Sequence, residues 1–232
     1  KKDKMILTLK KIIFINITSK LSTKKNLSYL DLNFRKIDFK NNKKIKSFIF
    51  KKNFYNYKNK NIHNFDFLNF SNRLGGKIGI NLSKKAIFGW YKVNKKKLGF
   101  PWLDDSPSKR LINLLYNYEY INSSSKVNDK KKLDSIIYFH IQRILFDFNS
   151  KKITELTSFD LIAYILSCLL LKKINETEID YIKFIVDNQI DKIGVHKSYN
   201  FLEHSKFINN LIEIKNILLF FKSRKSNVFD EV

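Results

Sequence analysis

Turn-forming residues are scarce in this chain of 232 residues, with 6 Gly and 2 Pro. A sandwich or barrel of many short strands needs more tight turns than that, so the shortage favours helices joined by short polar loops. There is one cysteine, so no disulfide can form within the chain and the redox compartment stays open. Cys168 lies inside an apolar run from Leu161 to Leu171, where a buried structural thiol fits better than a nucleophile. That run is about half the ~20 residues needed to cross a bilayer, so it reads as a core helix and no transmembrane segment is expected.

Sequence patterns for metals and nucleotides are missing as well. The four His are scattered, with no His-x-x-x-His or Cys-x-x-Cys spacing and no calcium-loop pattern of acids. No glycine-rich phosphate cradle and no nucleophile elbow occur. Neither a metal nor a cofactor is expected.

Acidic residues are few: Asp+Glu 21 against Lys+Arg 45 gives a formal net charge of +24. Such a surplus attracts polyanions over long range. A-T-rich codons alone would also favour the Lys, Asn, Ile, Phe and Tyr that dominate here, so the charge supports an acidic ligand without identifying it. What the chain has in plenty is apolar material, 44% hydrophobic and 15% aromatic, enough for a large core and against global disorder.

Along the chain, Lys1 to Leu21 places basic residues around Ile12-Ile13-Phe14-Ile15. The apolar part is short and no small-residue cleavage site follows, so no clear signal peptide is read. A packing helix or a basic helix on a membrane surface is expected there. The opening Lys-Lys-Asp-Lys-Met suggests an incomplete reading frame. From about Tyr29 to Tyr57 the pattern alternates, as in Leu32-Asn33-Phe34-Arg35-Lys36-Ile37, and Asn41-Asn42 offers a turn, so a β-hairpin is expected.

Helical periodicity then takes over. Helices are expected at His63–Leu74, Lys84–Asn94, from Asp105-Ser106-Pro107 to about Ile121, and at Lys130–Phe148, Ser158–Leu171, Thr177–Asn188 and Phe201–Lys222. Long helices with short links pair antiparallel. The class is mainly α, an array of antiparallel helical hairpins behind a β-hairpin-containing N-terminal segment. The expected division is 1–60 for that segment, 61–222 for the helical domain and 223–232 for the start of a linker.

The stretch richest in chemistry is Gly194-Val195-His196-Lys197-Ser198-Tyr199-Asn200. Glycine allows a sharp turn after the apolar run ending near Ile190, and several polar groups follow before helical spacing resumes at Phe207. With two other segments, Ile62-His63-Asn64-Phe65-Asp66-Phe67-Leu68 and Phe100-Pro101-Trp102 through Arg110-Leu111-Ile112-Asn113-Leu114, it resembles the heparinase II/III family of bacterial polysaccharide lyases. The resemblance covers roughly Ile62 to Lys222. It implies an (α/α) toroid, here incomplete, and β-elimination on acidic, uronate-containing glycans. A β-sandwich domain follows the toroid in that family, and the chain stops where it would begin, which implies a fragment. The family context favours a bacterial envelope or periplasm over the cytoplasm.

The family's catalytic Asn-His pair is not matched at Thr157-Ser158-Phe159-Asp160-Leu161, and Glu203 falls where its Tyr would lie, with Tyr199 out of register. The chain is therefore read as a lyase of this type or as a catalytically reduced module that binds an acidic polysaccharide.

Elimination beside a carboxylate needs that charge neutralised, a base at the adjacent carbon and an acid for the leaving oxygen. His196 is the candidate base, with Ser198 and Asn200 orienting it or binding the carboxylate, and Tyr199 the substitute acid or base. Arg110 is the candidate carboxylate clamp, near the start of a proline-opened helix, unless it is a surface Arg of the first turn. Trp102 is a candidate to stack on a sugar, or a packing anchor beside Pro101. His204 lines the cleft or caps the turn. His63 and Asp66, at i and i+3, form a cleft-facing pair or a buried hydrogen-bonded His. His140, amid Ile137, Tyr138, Phe139 and Ile141, is read as core. Aromatics interleaved with Lys at Phe50–Tyr57 raise nucleic acid as a partner, but no nucleic-acid motif accompanies the charge and none is expected.

Overall fold

The computed structural model describes residues 60–97, 99–171 and 176–224. Its helices are α1 (Lys60–His63), α2 (Phe67–Leu74), α3 (Gly76–Asn94), α4 (Ser106–Tyr116), α5 (Tyr118–Asn122), α6 (Val127–Ser150), α7 (Ser158–Leu170), α8 (Glu176–Gln189) and α9 (Phe201–Arg224). Short 3-10 turns lie at Phe100–Trp102 and Ile153–Glu155. Among the described residues the extended structure is one isolated bridge, Ile190 to His196. The mainly helical class holds for them. The basic N-terminal segment, its β-hairpin and residues 225–232 lie outside the described residues.

The apolar run at Leu161–Leu171 becomes α7, and every residue from Asp160 to Leu170 is buried. A helix apolar on all sides is stable only at the centre of an array. Burial contributes roughly 1.5–3 kcal/mol for each Leu or Ile, several times what helix propensity supplies. α4, α6 and α9 surround α7. Its start is fixed by a capping box: Thr157 Oγ1 accepts from the Asp160 N–H, and Asp160 Oδ2 accepts from the Thr157 N–H. Asp160 also accepts from Lys151 Nζ at 2.9 Å and from Ser108 Oγ at 2.5 Å. Cys168 is buried and forms no disulfide.

These contacts set directions. The starts of α4 and α7 lie side by side through Ser108 and Asp160. The end of α6 joins them, since Asp147, Phe148 and Lys151 share a crevice with Pro107, Ser108 and Asp160. Near the other end of α6, Asp134 accepts from the Tyr118 hydroxyl just beyond α4. α6 therefore runs antiparallel to α4 and to α7.

Several helix boundaries differ from the periodicity: the helix expected to run to about Ile121 divides at Asn117 into α4 and α5, and α6 starts at Val127 rather than Lys130. The expected helix at His63–Leu74 breaks at Asn64-Phe65-Asp66, where Phe65 takes φ 65°. A left-handed phenylalanine costs about 1–3 kcal/mol. It persists because its ring is fully buried and packs against Phe67 and Trp90. The expected helix from Lys84 starts earlier, at Gly76, after Gly75 and Gly76 turn the chain with positive φ. Gly79, on α3, lies where a Cβ would stand 2.0 Å from the Tyr120 hydroxyl and 2.3 Å from the Ser71 carbonyl oxygen. Only glycine lets α3 and α5 meet there.

Candidate functional site

The structure gathers the candidate residues into two separate groups. The first surrounds Arg110. Its side chain is 0% exposed, and it lies on α4 against the turn that precedes α2. Nε donates to His140 Nε2 at 2.8 Å, and Nη1 donates to the carbonyl oxygens of His63 at 2.5 Å and Pro101 at 3.0 Å. Nη2 has no hydrogen-bond partner among the described residues. The guanidinium carbon instead stands 4.0 Å from the Trp90 ring centre and 4.4 Å from that of Trp102, where ring quadrupoles offset part of its desolvation. Burial, reinforced by Arg143, pulls Arg110 well below its ordinary pKa, while Asp147 works the other way.

His140 completes this centre as a neutral ring. Nε2 accepts from Arg110, so the proton lies on Nδ1, which donates to the Ile136 carbonyl at 2.8 Å. Burial and then the Arg110 charge hold His140 well below the usual histidine range. His63 is buried too, and its Nδ1 accepts from Trp90 Nε1 at 2.8 Å. Trp102 is buried, and its Nε1 donates to the Asn94 carbonyl at 2.8 Å. Asp66 accepts from Asn113 Nδ2 at 3.1 Å, and burial raises its carboxyl to about 6. Asn113 Nδ2 also donates to the Asn64 carbonyl at 2.9 Å.

Arg110, Trp102, His63 and Asp66 are thus brought together, as a core clamp on the Phe65 turn rather than on an open cleft. The expectation that Arg110 receives an incoming carboxylate and Trp102 a sugar face is corrected in this respect. Arg110 Nε and Nη1 and Trp102 Nε1 donate to main-chain or histidine acceptors, behind a shell of aromatic rings. Sequence reasoning placed His140 in the core but missed it as the acceptor for Arg110, because the two are 30 residues apart.

The second group is the loop between α8 and α9. Gly194, at φ 82°, closes a tight reversal in which the Asp191 N–H donates to the Val195 carbonyl and the Lys197 N–H to the Gln189 carbonyl. His196 is half-buried, with Nδ1 2.8 Å from Ser198 Oγ and 3.2 Å from the Ser198 N–H nitrogen. Either neutral tautomer is therefore served. With the proton on Nδ1, the ring donates to the hydroxyl and leaves the Nε2 lone pair available. With Nδ1 bare, it accepts from the Ser198 N–H. The ring edge rests on Phe207, 5.1 Å between centres.

The remaining candidates hold the loop. His204 Nδ1 accepts from the His196 N–H at 3.2 Å. Asn200 Oδ1 accepts from the N–H groups of Leu202 and Glu203, so it caps α9. Tyr199 is 72% exposed at φ 51°. Interaction with the Asp191 carboxylate raises its phenol above the ordinary pKa. Asp191 itself accepts from the N–H groups of Val195 at 2.8 Å and Ile193 at 3.0 Å, which with Tyr199 hold it below the usual carboxylate range. Sequence reasoning missed Asp191. The signal was present, since Asp at the first and Gly at the fourth position of Asp191-Lys192-Ile193-Gly194 mark a type I turn.

None of the contacts made by His196, Ser198, Tyr199, Asn200 or His204 reaches Arg110 or Trp102. Among the described residues no group of His, Cys, Asp and Glu could hold a metal ion, and no helix is long and apolar enough to cross a membrane. No family model, curated protein or solved structure was found to match the chain.

Proposed function

We propose that this chain is the (α/α) toroid portion of a heparinase II/III-like polysaccharide lyase that acts on acidic, uronate-containing glycans. The observation that carries the reading is the His196 loop. A half-exposed imidazole, oriented by Ser198, sits three residues from a solvent-facing phenol whose pKa the Asp191 carboxylate raises. The chain is strongly basic, at +24 overall, which attracts a polyanion over long range.

In the reaction His196 Nε2 takes the proton from the carbon beside the uronate carboxylate. The electron pair forms a carbon–carbon double bond, and the bond to the leaving glycosidic oxygen breaks. Tyr199 gives its hydroxyl proton to that oxygen. Both side chains then regain their starting states by proton exchange with water. Lys197, on the same loop, is the nearest cation in sequence to offset the carboxylate.

The product carries a double bond conjugated to its carboxylate, so ultraviolet absorbance reads it directly. Incubation with uronate polymers should raise the absorbance, and His196→Ala should abolish the rise while leaving the circular dichroism unchanged. No rise with any uronate polymer overturns the lyase reading.

A second reading, binding of an acidic glycan without cleavage, is favoured by the enclosure of Arg110. A sealed guanidinium leaves the elimination without its expected carboxylate clamp. Retention of uronate polymer over a neutral polymer at matched salt, with no absorbance change, identifies that case.

A further inference from the structure

Positive charge is unevenly spread over the described residues. From Phe67 to Leu103 the chain has eight basic residues and no acidic one. Outside that run, the bases and acids of the described residues nearly balance. Lys77, Lys85 and Lys92 are exposed on α3, and the start of α6 adds exposed Lys130 and Lys131. The two helices meet through Lys84 and Asp129 at 3.6 Å, through Lys132 Nζ 4.3 Å from the Phe88 ring centre, and through Tyr91 against Phe139. These contacts follow in the same order along both helices. α3 and the first half of α6 therefore start from one end of the molecule and run alongside each other.

That end also exposes aliphatic side chains. α2 runs along α4, with Asn69 Nδ2 donating to Asn113 Oδ1 and Asn72 Nδ2 to Asn117 Oδ1, so the turn from α2 into α3 lies at the end of α4. Tyr120 on α5 donates its hydroxyl to the Ser71 carbonyl next to that turn, just before the chain passes into α6. Leu74 is 44% exposed and Ile78 72% on either side of the turn, and Val127, the first residue of α6, is 69% exposed. One exposed aliphatic side chain is ordinary, but three gathered at one end among Lys77, Lys126, Lys130 and Lys131 mark an interaction surface. The acids Glu119 and Asp129 lie here too, the second against Lys84, and they leave the balance positive.

We propose that this end of the molecule docks on an anionic lipid surface. Leu74, Ile78 and Val127 enter the boundary between headgroups and acyl chains, and the lysines of α3 and α6 face the lipid phosphates and carboxylates. The charges are complementary, and each Lys held near such a surface strengthens binding about fivefold. The aliphatic side chains then hold what the charge collects. Single-stranded nucleic acid, the other polyanion that combines lysines with aromatic rings, fits less well. Its bases stack on open ring faces. Phe88 and Tyr91 instead each carry an ammonium over the ring, from Lys132 at 4.3 Å and Lys95 at 5.2 Å. The proposal does not rest on the glycan reading.

The test mixes the full 232-residue chain with vesicles of phosphatidylcholine and phosphatidylserine, or of phosphatidylcholine alone, at one physiological salt concentration. The chain should sediment with the serine-containing vesicles only. Ile78→Ser, and Lys130→Gln combined with Lys131→Gln, should each weaken that binding about tenfold or more, with unchanged circular dichroism. A polarity-sensitive dye on Ile78→Cys, in a Cys168→Ala background, reads the location independently of affinity. Its emission should shift to the blue on the anionic vesicles, and the same dye on Lys183→Cys of α8 should not shift. No excess binding to the anionic vesicles overturns the proposal. So does binding with an unmoved dye on Ile78→Cys. Capture of a single-stranded oligonucleotide without capture of vesicles assigns the face to nucleic acid and overturns it as well.

Discussion

Arg110 Nη1 donates to the carbonyl oxygen of His63, 47 residues earlier in the chain. Three residues on, Asn113 Nδ2 donates to the carbonyl of Asn64. One face of α4 thus grips two successive carbonyls of the turn that carries the left-handed Phe65. The grip explains how a strained backbone survives there, and it gives the Ile62–Leu68 and Phe100–Leu114 segments a shared structural task.

Replacing Arg110 should therefore cost stability before it costs anything else. Arg110→Lys cannot reach His140, His63 and Pro101 together, because an ammonium lacks the planar fork. It should lower the unfolding free energy by on the order of 3 kcal/mol, since buried acceptors lose a charged donor. Urea unfolding measures this, and a loss below about 1 kcal/mol contradicts the clamp.

Two buried groups give the pH dependence opposite signs. His140 stays neutral when folded but takes a proton near 6.5 when unfolded. The unfolded state then binds more protons below that value, and stability falls as pH drops, by about 1.4 kcal/mol per pH unit for one proton. Asp66 titrates at about 6 when folded against 3.8 when unfolded. The folded state binds more protons between those values, so this group adds stability as pH falls through the same window.

Asp66→Asn should accordingly raise stability at neutral pH, by up to about 3 kcal/mol, and steepen the loss toward pH 4. His140→Gln, which keeps an acceptor for Arg110, should flatten that loss. Unfolding curves between pH 4 and 7.5 separate the two.

Gly79→Ala should destabilise by about 1–3 kcal/mol, because its Cβ meets the Tyr120 hydroxyl and the Ser71 carbonyl. Adding Tyr120→Phe removes one of those atoms and should recover part of the loss. Full recovery, or none, contradicts the packing of α3 on α5 in thermal unfolding of the two variants.

Asp191→Asn keeps an oxygen for the N–H groups of Val195 and Ile193 but removes the charge facing Tyr199. The Tyr199 phenol should fall back toward its ordinary pKa of 10.0. Labelled tyrosine resonances followed through alkaline titration check this, and an unmoved Tyr199 dissociates it from Asp191.

Helices were legible wherever packing and period agreed. The run at Leu161–Leu171 is apolar on every side and could only become a central helix. Phe65 was not legible, because Asn64-Phe65-Asp66 continues the helical spacing and its positive φ is held by Trp90 and Arg110, remote in sequence. Arg110 sits in the first turns of a proline-started helix, where exposure is the ordinary outcome. Its burial was decided by Trp90, Trp102 and His140, which no local pattern connects to it. The loop from Gly194 to Asn200 was legible as a turn, because glycine and the Asn200 cap act within a few residues.

The chain has four histidines, and the structure divides them into buried His63 and His140 and, less buried, His196 on the α8–α9 loop and His204 in the first turn of α9. That division allows one direct measurement: histidine ring resonances of the protein titrated with a uronate oligosaccharide at constant salt. The account predicts shifts at His196 and His204 and none at His63 or His140. Unmoved His196 and His204, or shifts confined to the buried pair, would contradict a glycan site on the α8–α9 loop.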